Sequence, residues 1–136
     1  MPRSGAWQES ALITLTLNYP PTLNTYYRSV PGKGVLISAK GRAYRKHVIA
    51  AVSEQLGRFD PLSGQVAIAM HFNPPDRRRR DLDNVDGKAI MDALTHAGVW
   101  HDDCQVKRRV SEMGEPTPSG RLEVCVANIK KESQHD

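Results

Sequence analysis

The sequence predicts a small α/β (α+β) domain in which two main helices pack on one mixed sheet, in the order β-α-β-α-β-β. Three observations carry that expectation. Apolar residues alternate over 11–18 and 65–72, the two-residue period of strands. They recur at helical spacing over 38–56 and 84–96. Two further strand-like runs, 104–110 and 121–129, surround a segment holding Gly114, Pro116, Pro118 and Gly120, which suits an antiparallel hairpin.

In the first strand Ile13, Leu15 and Leu17 point one way and Thr14, Thr16 and Asn18 the other. Tyr19-Pro20-Pro21 ends it, because proline cannot donate to a ladder. Residues 22–34 read as a loop or loose hairpin carrying Tyr26, Tyr27 and Arg28. Ser38 is the expected N-cap of the first helix and Gly57 its stop. Tyr44, Val48, Val52 and Leu56 form its apolar stripe; Lys40, Arg42, Arg45 and Lys46 lie on another face. In the second strand Val66, Ile68, Met70 and Phe72 share one face, and Ala67 and Ala69 lie on the other, which predicts a central position. The second helix is expected to bury Val85, Ala89, Ala93, Leu94 and Ala97 and to stop at Gly98. Residues 1–136 are expected to be one domain, with 1–10 and 130–136 flexible.

At 136 residues the chain can bury a core without staples. No apolar run is long enough to span a membrane, and the opening MPRSGAWQES lacks the apolar centre of a signal peptide, so a cytoplasmic protein is expected. Cys104 and Cys125 have no CxxC spacing and read as reduced, small apolar residues. The net charge of +4 and pI near 9.3 hint mildly at a polyanionic partner. The distribution says more. Residues 76–109 hold the bases Arg77, Arg78, Arg79, Arg80, Lys88, Lys107, Arg108 and Arg109, and every acid among them is Asp.

PPDRRRRDLDN, residues 74–84, sets the densest positive charge against two carboxylates. If that stretch is extended, Asp81 and Asp83 point to one side. Asp102 and Asp103 follow the next helix, and a compact fold can bring them alongside. Two such charges about 5 Å apart repel by roughly 3 kcal/mol at an effective dielectric of 20, so a proton or cation must relieve them. A hard divalent ion, Mg²⁺ or Mn²⁺, suits oxygen ligands and meets the needs of phosphodiester hydrolysis. Simpler roles stand beside this one. Asp83 could cap the helix with Asp86 helping its dipole, Asp81 could pair with Arg80, and Asp102 and Asp103 could be a solvated turn.

Arg77, Arg78, Arg79 and Arg80 form a solvated face or a nucleic-acid patch; in a loop they cannot all point one way, so some meet phosphates and others acids. Lys107 and Arg109 extend the patch along a strand, with Arg108 on its other side. Lys88 falls one turn after Asn84 and one turn before Asp92, where it either stabilises a pentavalent phosphate or pairs with Asp92. His96 and His101 show no metal-ligand spacing. Tyr26, Tyr27 and Trp100 could stack on bases, though core packing suits Trp100 better.

From about Leu12 to Ile129 the chain resembles the RusA family of Holliday junction resolvases of bacteria and their phages. YPPTLNTYYR (19–28), ISAKGRAYRKHV (37–48), PPDRRRRDLDN, KAIMDALTHAGVWHDDCQV (88–106) and GRLEVCV (120–126) carry the likeness. It implies a single RusA-like domain acting as a homodimeric, Mg²⁺-dependent endonuclease that cuts four-way DNA junctions, with no small-molecule cofactor and no membrane association. The family's essential aspartates fall on Asp81, Asp83 and Asp103, and its catalytic lysine on Lys88. One departure stands out. The family usually has two residues between the DxDN asparagine and that lysine, whereas here Val85, Asp86 and Gly87 intervene. One extra residue rotates a helix by about 100°, and Gly87 offers either a bulge or a later helix start to absorb it. The competing reading is a non-catalytic module binding branched or single-stranded DNA, which the arginines alone would support.

Overall fold

A computed structural model describes residues 11–85 and 87–129. The expected flexibility of 1–10 and 130–136, and the helix-dipole role for Asp86, lie outside the described residues.

Strand β1 (Ala11–Leu17) follows the alternation, with Ile13, Leu15 and Leu17 buried and Thr14 and Thr16 exposed. The segment read as a loop or loose hairpin does hold a hairpin, with a helical turn before it. It forms a one-turn helix α1 (Leu23–Tyr26) and a separate hairpin of β2 (Tyr27–Val30) and β3 (Gly34–Ile37). Helix α2 (Ala39–Leu56) starts and stops as its sequence predicts. The Ser38 hydroxyl accepts the Gly41 amide at 3.0 Å, and the Gly57 amide closes on the Ser53 carbonyl. Tyr44, Val48, Ala51 and Val52 face the core, while Leu56 is only partly covered.

Strand β4 (Val66–Asn73) is buried almost throughout, including Ala67 and Ala69 on its second face. Such a strand needs partners on both edges, and it has them. The order is β1-β6-β4-β5, where β5 is Val106–Met113 and β6 is Arg121–Asn128. β6 runs antiparallel to β1 and β4, and β5 runs parallel to β4, with helix α3 (Lys88–His96) in the crossover. This corrects the expected β5–β6 hairpin, because β4 lies between the two strands. The three consecutive exposed bases Lys107, Arg108 and Arg109 suit β5 to an edge. The Gly/Pro loop therefore crosses the end of β4: the Gly114 amide donates to Phe72 O at 2.7 Å and the Thr117 amide to Pro74 O at 2.9 Å. A Cβ on Gly114 would run into the end of the His71 ring, so a side chain there would require that ring to move.

The apolar faces of β1, β4 and β6 and the inner sides of α2 and α3 form one core. Trp100 is buried in it and donates to Thr95 Oγ1 at 2.7 Å. Of the two free cysteines, Cys125 is buried as expected, but Cys104 is exposed. No helix among the described residues is long and apolar enough to cross a membrane.

Candidate active site

The arginine loop leaves the end of β4 and first neutralises itself. Asp76 Oδ1 lies 2.9 Å from Arg80 Nη1 and accepts the Arg78 amide at 2.9 Å. The Arg80 guanidinium, with the Arg78 amide behind it, holds the Asp76 carboxyl below the usual carboxylate range. Arg80 also donates to the Asp76 and Arg78 carbonyls, at 3.1 and 3.0 Å, and sits 5.9 Å over the Tyr19 ring. Its side chain is 20% exposed, against 81% for Arg77 and 78% for Arg78. Arg80 is thus a brace, and Arg77, Arg78 and Arg79 are exposed. Arg77 reaches Glu115 at 3.4 Å across the neighbouring loop. The expected contacts of some of these arginines with acids are seen, and the acids are Asp76 and Glu115.

Asp81 has extended backbone, and a single-turn 3-10 helix (Leu82–Asn84) follows it. The extended premise therefore holds at Asp81 and fails at Asp83. Both residues are exposed, and neither carboxylate has a hydrogen-bond or ion-pair partner among the described residues. The capping roles also fall away. Asp81 occupies the N-cap of the 3-10 turn without a side-chain cap bond. The residue before α3 is Gly87, not Asp83.

Helix α3 starts at Lys88 rather than Asn84, after Gly87 at φ 113° and ψ −126°. The later start breaks the expected Asn84–Lys88–Asp92 stripe. It puts Lys88 in the first turn, its Nζ 5.6 Å from the Tyr27 ring centre. Asp92 is not paired with Lys88. Its Oδ2 takes the Tyr26 hydroxyl and Arg45 Nη2, each at 2.8 Å. His96 Nε2 lies 3.7 Å from Oδ1 of Asp92. The buried side of α3 includes Ile90 and Met91 as well as Ala89, Ala93 and Leu94.

Asp102 and Asp103 have unlike roles. Asp102 caps a 3-10 turn (Asp103–Gln105), accepting the Cys104 amide at 2.9 Å, and this bond holds its carboxyl below the usual range. Gln105 returns the bond through Oε1 to the Asp102 amide at 3.0 Å, while its Nε2 ties down the Leu62 and Gly64 carbonyls. Asp103 faces a depression shared with Met91, Lys107, Arg108 and Arg109. The three bases are exposed together, although alternation had set Arg108 apart.

The turn bearing Asp83 packs against β5, and the turn bearing Asp103 packs against α3. Arg109 Nη1 lies 3.7 Å from where a Cβ of Gly87 would stand, linking the two regions. Among the described residues no three or more His, Cys, Asp or Glu side chains are grouped so that they could hold a metal ion, so the expected gathering of Asp81, Asp83 and Asp103 round one spot is not seen. The donors nonetheless fit a hard divalent cation by type: carboxylate oxygens on exposed turns, with Asp81 and Asp83 free of partners among the described residues. Sequence reasoning missed the Asp76 brace, for which the i,i+4 spacing to Arg80 was a signal. It also missed the Tyr26–Asp92–Arg45 cluster, for which there was none.

The endodeoxyribonuclease RusA family model matches residues 18–127, which include every site residue described above. A crossover junction endodeoxyribonuclease RusA of Shigella sonnei (strain Ss046) is 43% identical over 120 residues, 88% of this chain and 97% of the relative. That of Escherichia coli (strain K12) is 42% identical over the same shares, and that of Enterobacteria phage 82 is 44% identical over 87% and 96%. Matched by the family model over most of its length, and 43% identical to a relative that it covers almost completely, the chain belongs to the endodeoxyribonuclease RusA family.

Proposed function

We propose that this endodeoxyribonuclease is a Mg²⁺-dependent resolvase of four-way (Holliday) DNA junctions, with Mn²⁺ as a substitute, acting in recombination and repair in the cytoplasm of a bacterium or of a phage-infected cell. The observation that carries the site assignment is that Asp81 and Asp83 have no side-chain partner among the described residues, beside an Arg80 that is braced on Asp76 instead. Carboxylates left exposed and unpaired next to four guanidinium groups are available to a cation from solvent. Asp81, Asp83 and Asp103 would hold Mg²⁺. A divalent ion there supplies Lewis-acid polarisation of a phosphoryl oxygen and neutralises developing charge.

The other residues bind and orient. Arg77, Arg78, Arg79, Lys107 and Arg109 hold backbone phosphates without reading sequence, and Arg80 keeps their loop in place. Lys88 presents its ammonium to the phosphoryl oxygens as charge accumulates on them. In the reaction a water oxygen bonds to phosphorus as the P–O3′ bond breaks. The 3′-oxygen takes up a proton and the 5′-phosphate stays on the other strand end. A symmetric homodimer would place two such sites on opposing strands, giving paired nicks that a ligase can seal.

The test is a synthetic four-way junction with Mg²⁺, and a linear duplex as control. Asp81→Asn, Asp83→Asn and Asp103→Asn are each expected to abolish cutting and leave salt-dependent junction binding intact. Normal cutting by all three would overturn the site, and an inert wild-type protein would leave only a DNA-binding module.

A further inference from the structure

Lys88 stands where a cation is poorly placed by the helix alone. It is the first residue of α3, at the positive end of the helix dipole, and it makes no ion pair among the described residues. Its contact is the Tyr27 ring, 5.6 Å from Nζ to the centroid. That ring is itself held. It meets the Tyr26 ring edge to face, with centroids 4.7 Å apart and planes at 64°. Tyr26 is fully buried, and its hydroxyl donates to Asp92 Oδ2 at 2.8 Å. Its carbonyl accepts both the amide and the hydroxyl of Ser38, at 2.9 and 3.0 Å. Asp92 lies one turn after Lys88 on α3 and is clamped from α2 by Arg45. The contacts close a circuit: Lys88 to Tyr27, Tyr27 to Tyr26, Tyr26 to Asp92, and back along one turn of helix. The helix that carries the ammonium therefore also sets the position of the ring beneath it.

We infer that Tyr27 is a positioning residue for Lys88, its ring holding the ammonium by a cation–π contact in the place from which it meets the scissile phosphate. The inference rests on the reading of Lys88 given above. The depression that Lys88 enters is consistent with it: among the described residues its lining includes Asn24, Arg28 and Val35 and no acidic residue. Tyr27 needs no contact with the substrate. An aliphatic side chain of similar bulk would fill the space but leave the ammonium among many rotamers.

The experiment compares Tyr27→Leu, Tyr27→Phe, Lys88→Ala and Tyr27→Leu/Lys88→Ala in single-turnover cutting of a saturating four-way junction, with melting curves to establish folding. Tyr27→Leu is expected to lower the rate roughly threefold to thirtyfold with junction affinity unchanged. Tyr27→Phe keeps the ring and is expected to cut like wild type. In the Lys88→Ala background Tyr27→Leu should cost nothing further. A readout independent of activity is the Lys88 Hε resonance, expected upfield of the other lysines in wild type and Tyr27→Phe and shifted back in Tyr27→Leu. The inference is overturned if Tyr27→Phe loses as much as Tyr27→Leu, if the loss persists without Lys88, or if the resonance is not upfield. A Lys88→Ala protein that cuts at the wild-type rate would instead remove the catalytic reading on which it rests, whatever the resonance shows.

Discussion

Replacing Gly87 by alanine tests what sets the start of α3. At φ 113° and ψ −126° Gly87 occupies backbone space that is essentially closed to a side-chain-bearing residue. A Cβ there would meet only Arg109 Nη1, at 3.7 Å, an ordinary contact. The penalty is therefore backbone strain, about 1–3 kcal/mol, against a total stability of roughly 5–15 kcal/mol. At roughly 3–5 °C per kcal/mol for a chain of this size, Tm should fall by about 3–15 °C. The chain can escape part of the strain by starting α3 one residue earlier. Each residue of helix turns the following side chains by about 100°, which would carry Lys88 away from Tyr27. Cutting should therefore fall more than stability, at least tenfold, with junction affinity kept. Gly98→Ala is the control. It too has a positive φ, 82°, with nothing within 4 Å of an added Cβ, but it lies beyond the far end of α3. It should lower Tm and leave the rate per folded molecule unchanged. If Gly87→Ala melts within a degree of wild type and cuts normally, the turn does not need glycine and the reasoning is wrong.

Two further outcomes follow from the arginine loop and the first helix. Arg79→Ala should reduce the salt dependence of junction binding by about one phosphate contact without changing Tm, whereas Arg80→Ala should lower Tm by freeing the loop; equal effects in both assays would contradict the brace. His47 is half-buried, its burial pushes its pKa down, and its Nε2 accepts the Asn18 amide at 2.9 Å, a bond that one protonated form cannot make. Because the folded pKa lies below the unfolded value near 6.5, the unfolded chain takes up the proton first. Stability is full above that value and is lost as pH falls from it toward the lower folded pKa. Melting from pH 8 to 5 should show this, and His47→Gln should flatten it; an unchanged slope in the variant would place the dependence elsewhere.

The parts of the fold legible in the sequence are those where period and burial agree. β1, β4 and the whole of α2 follow from alternation, stripe and caps. The failures share a cause. Gly114, Pro116, Pro118 and Gly120 say that the chain bends, but a bend does not reveal which edge the chain reaches next. Only the two-sided burial of β4 shows that it must lie inside the sheet. The start of α3 was misjudged because Asp83 and Asn84 resemble caps and Val85 fits the apolar period. Gly87, unfavourable inside a helix by up to about 1 kcal/mol, was the contrary local signal. At the candidate site the sequence shows which acids and bases lie close along the chain but not which of them pair, since pairing is decided by loop geometry.

That geometry answers the question posed by four arginines set against two aspartates. Adjacent opposite charges in a flexible loop would ordinarily collapse on one another, and Arg80 is the nearest base to Asp81 in sequence. It is prevented from doing so because its guanidinium is already engaged by the Asp76 carboxylate and two backbone carbonyls, over the Tyr19 ring. Moving it to Asp81 would break several hydrogen bonds to form one exposed ion pair, worth about 0–1 kcal/mol at most. Asp76 thus does for Arg80 what Asp81 would otherwise do. The sacrificial acid lets one short loop display cations and anions side by side without mutual neutralisation, the condition that a surface must meet to hold a polyanion and a cation at once.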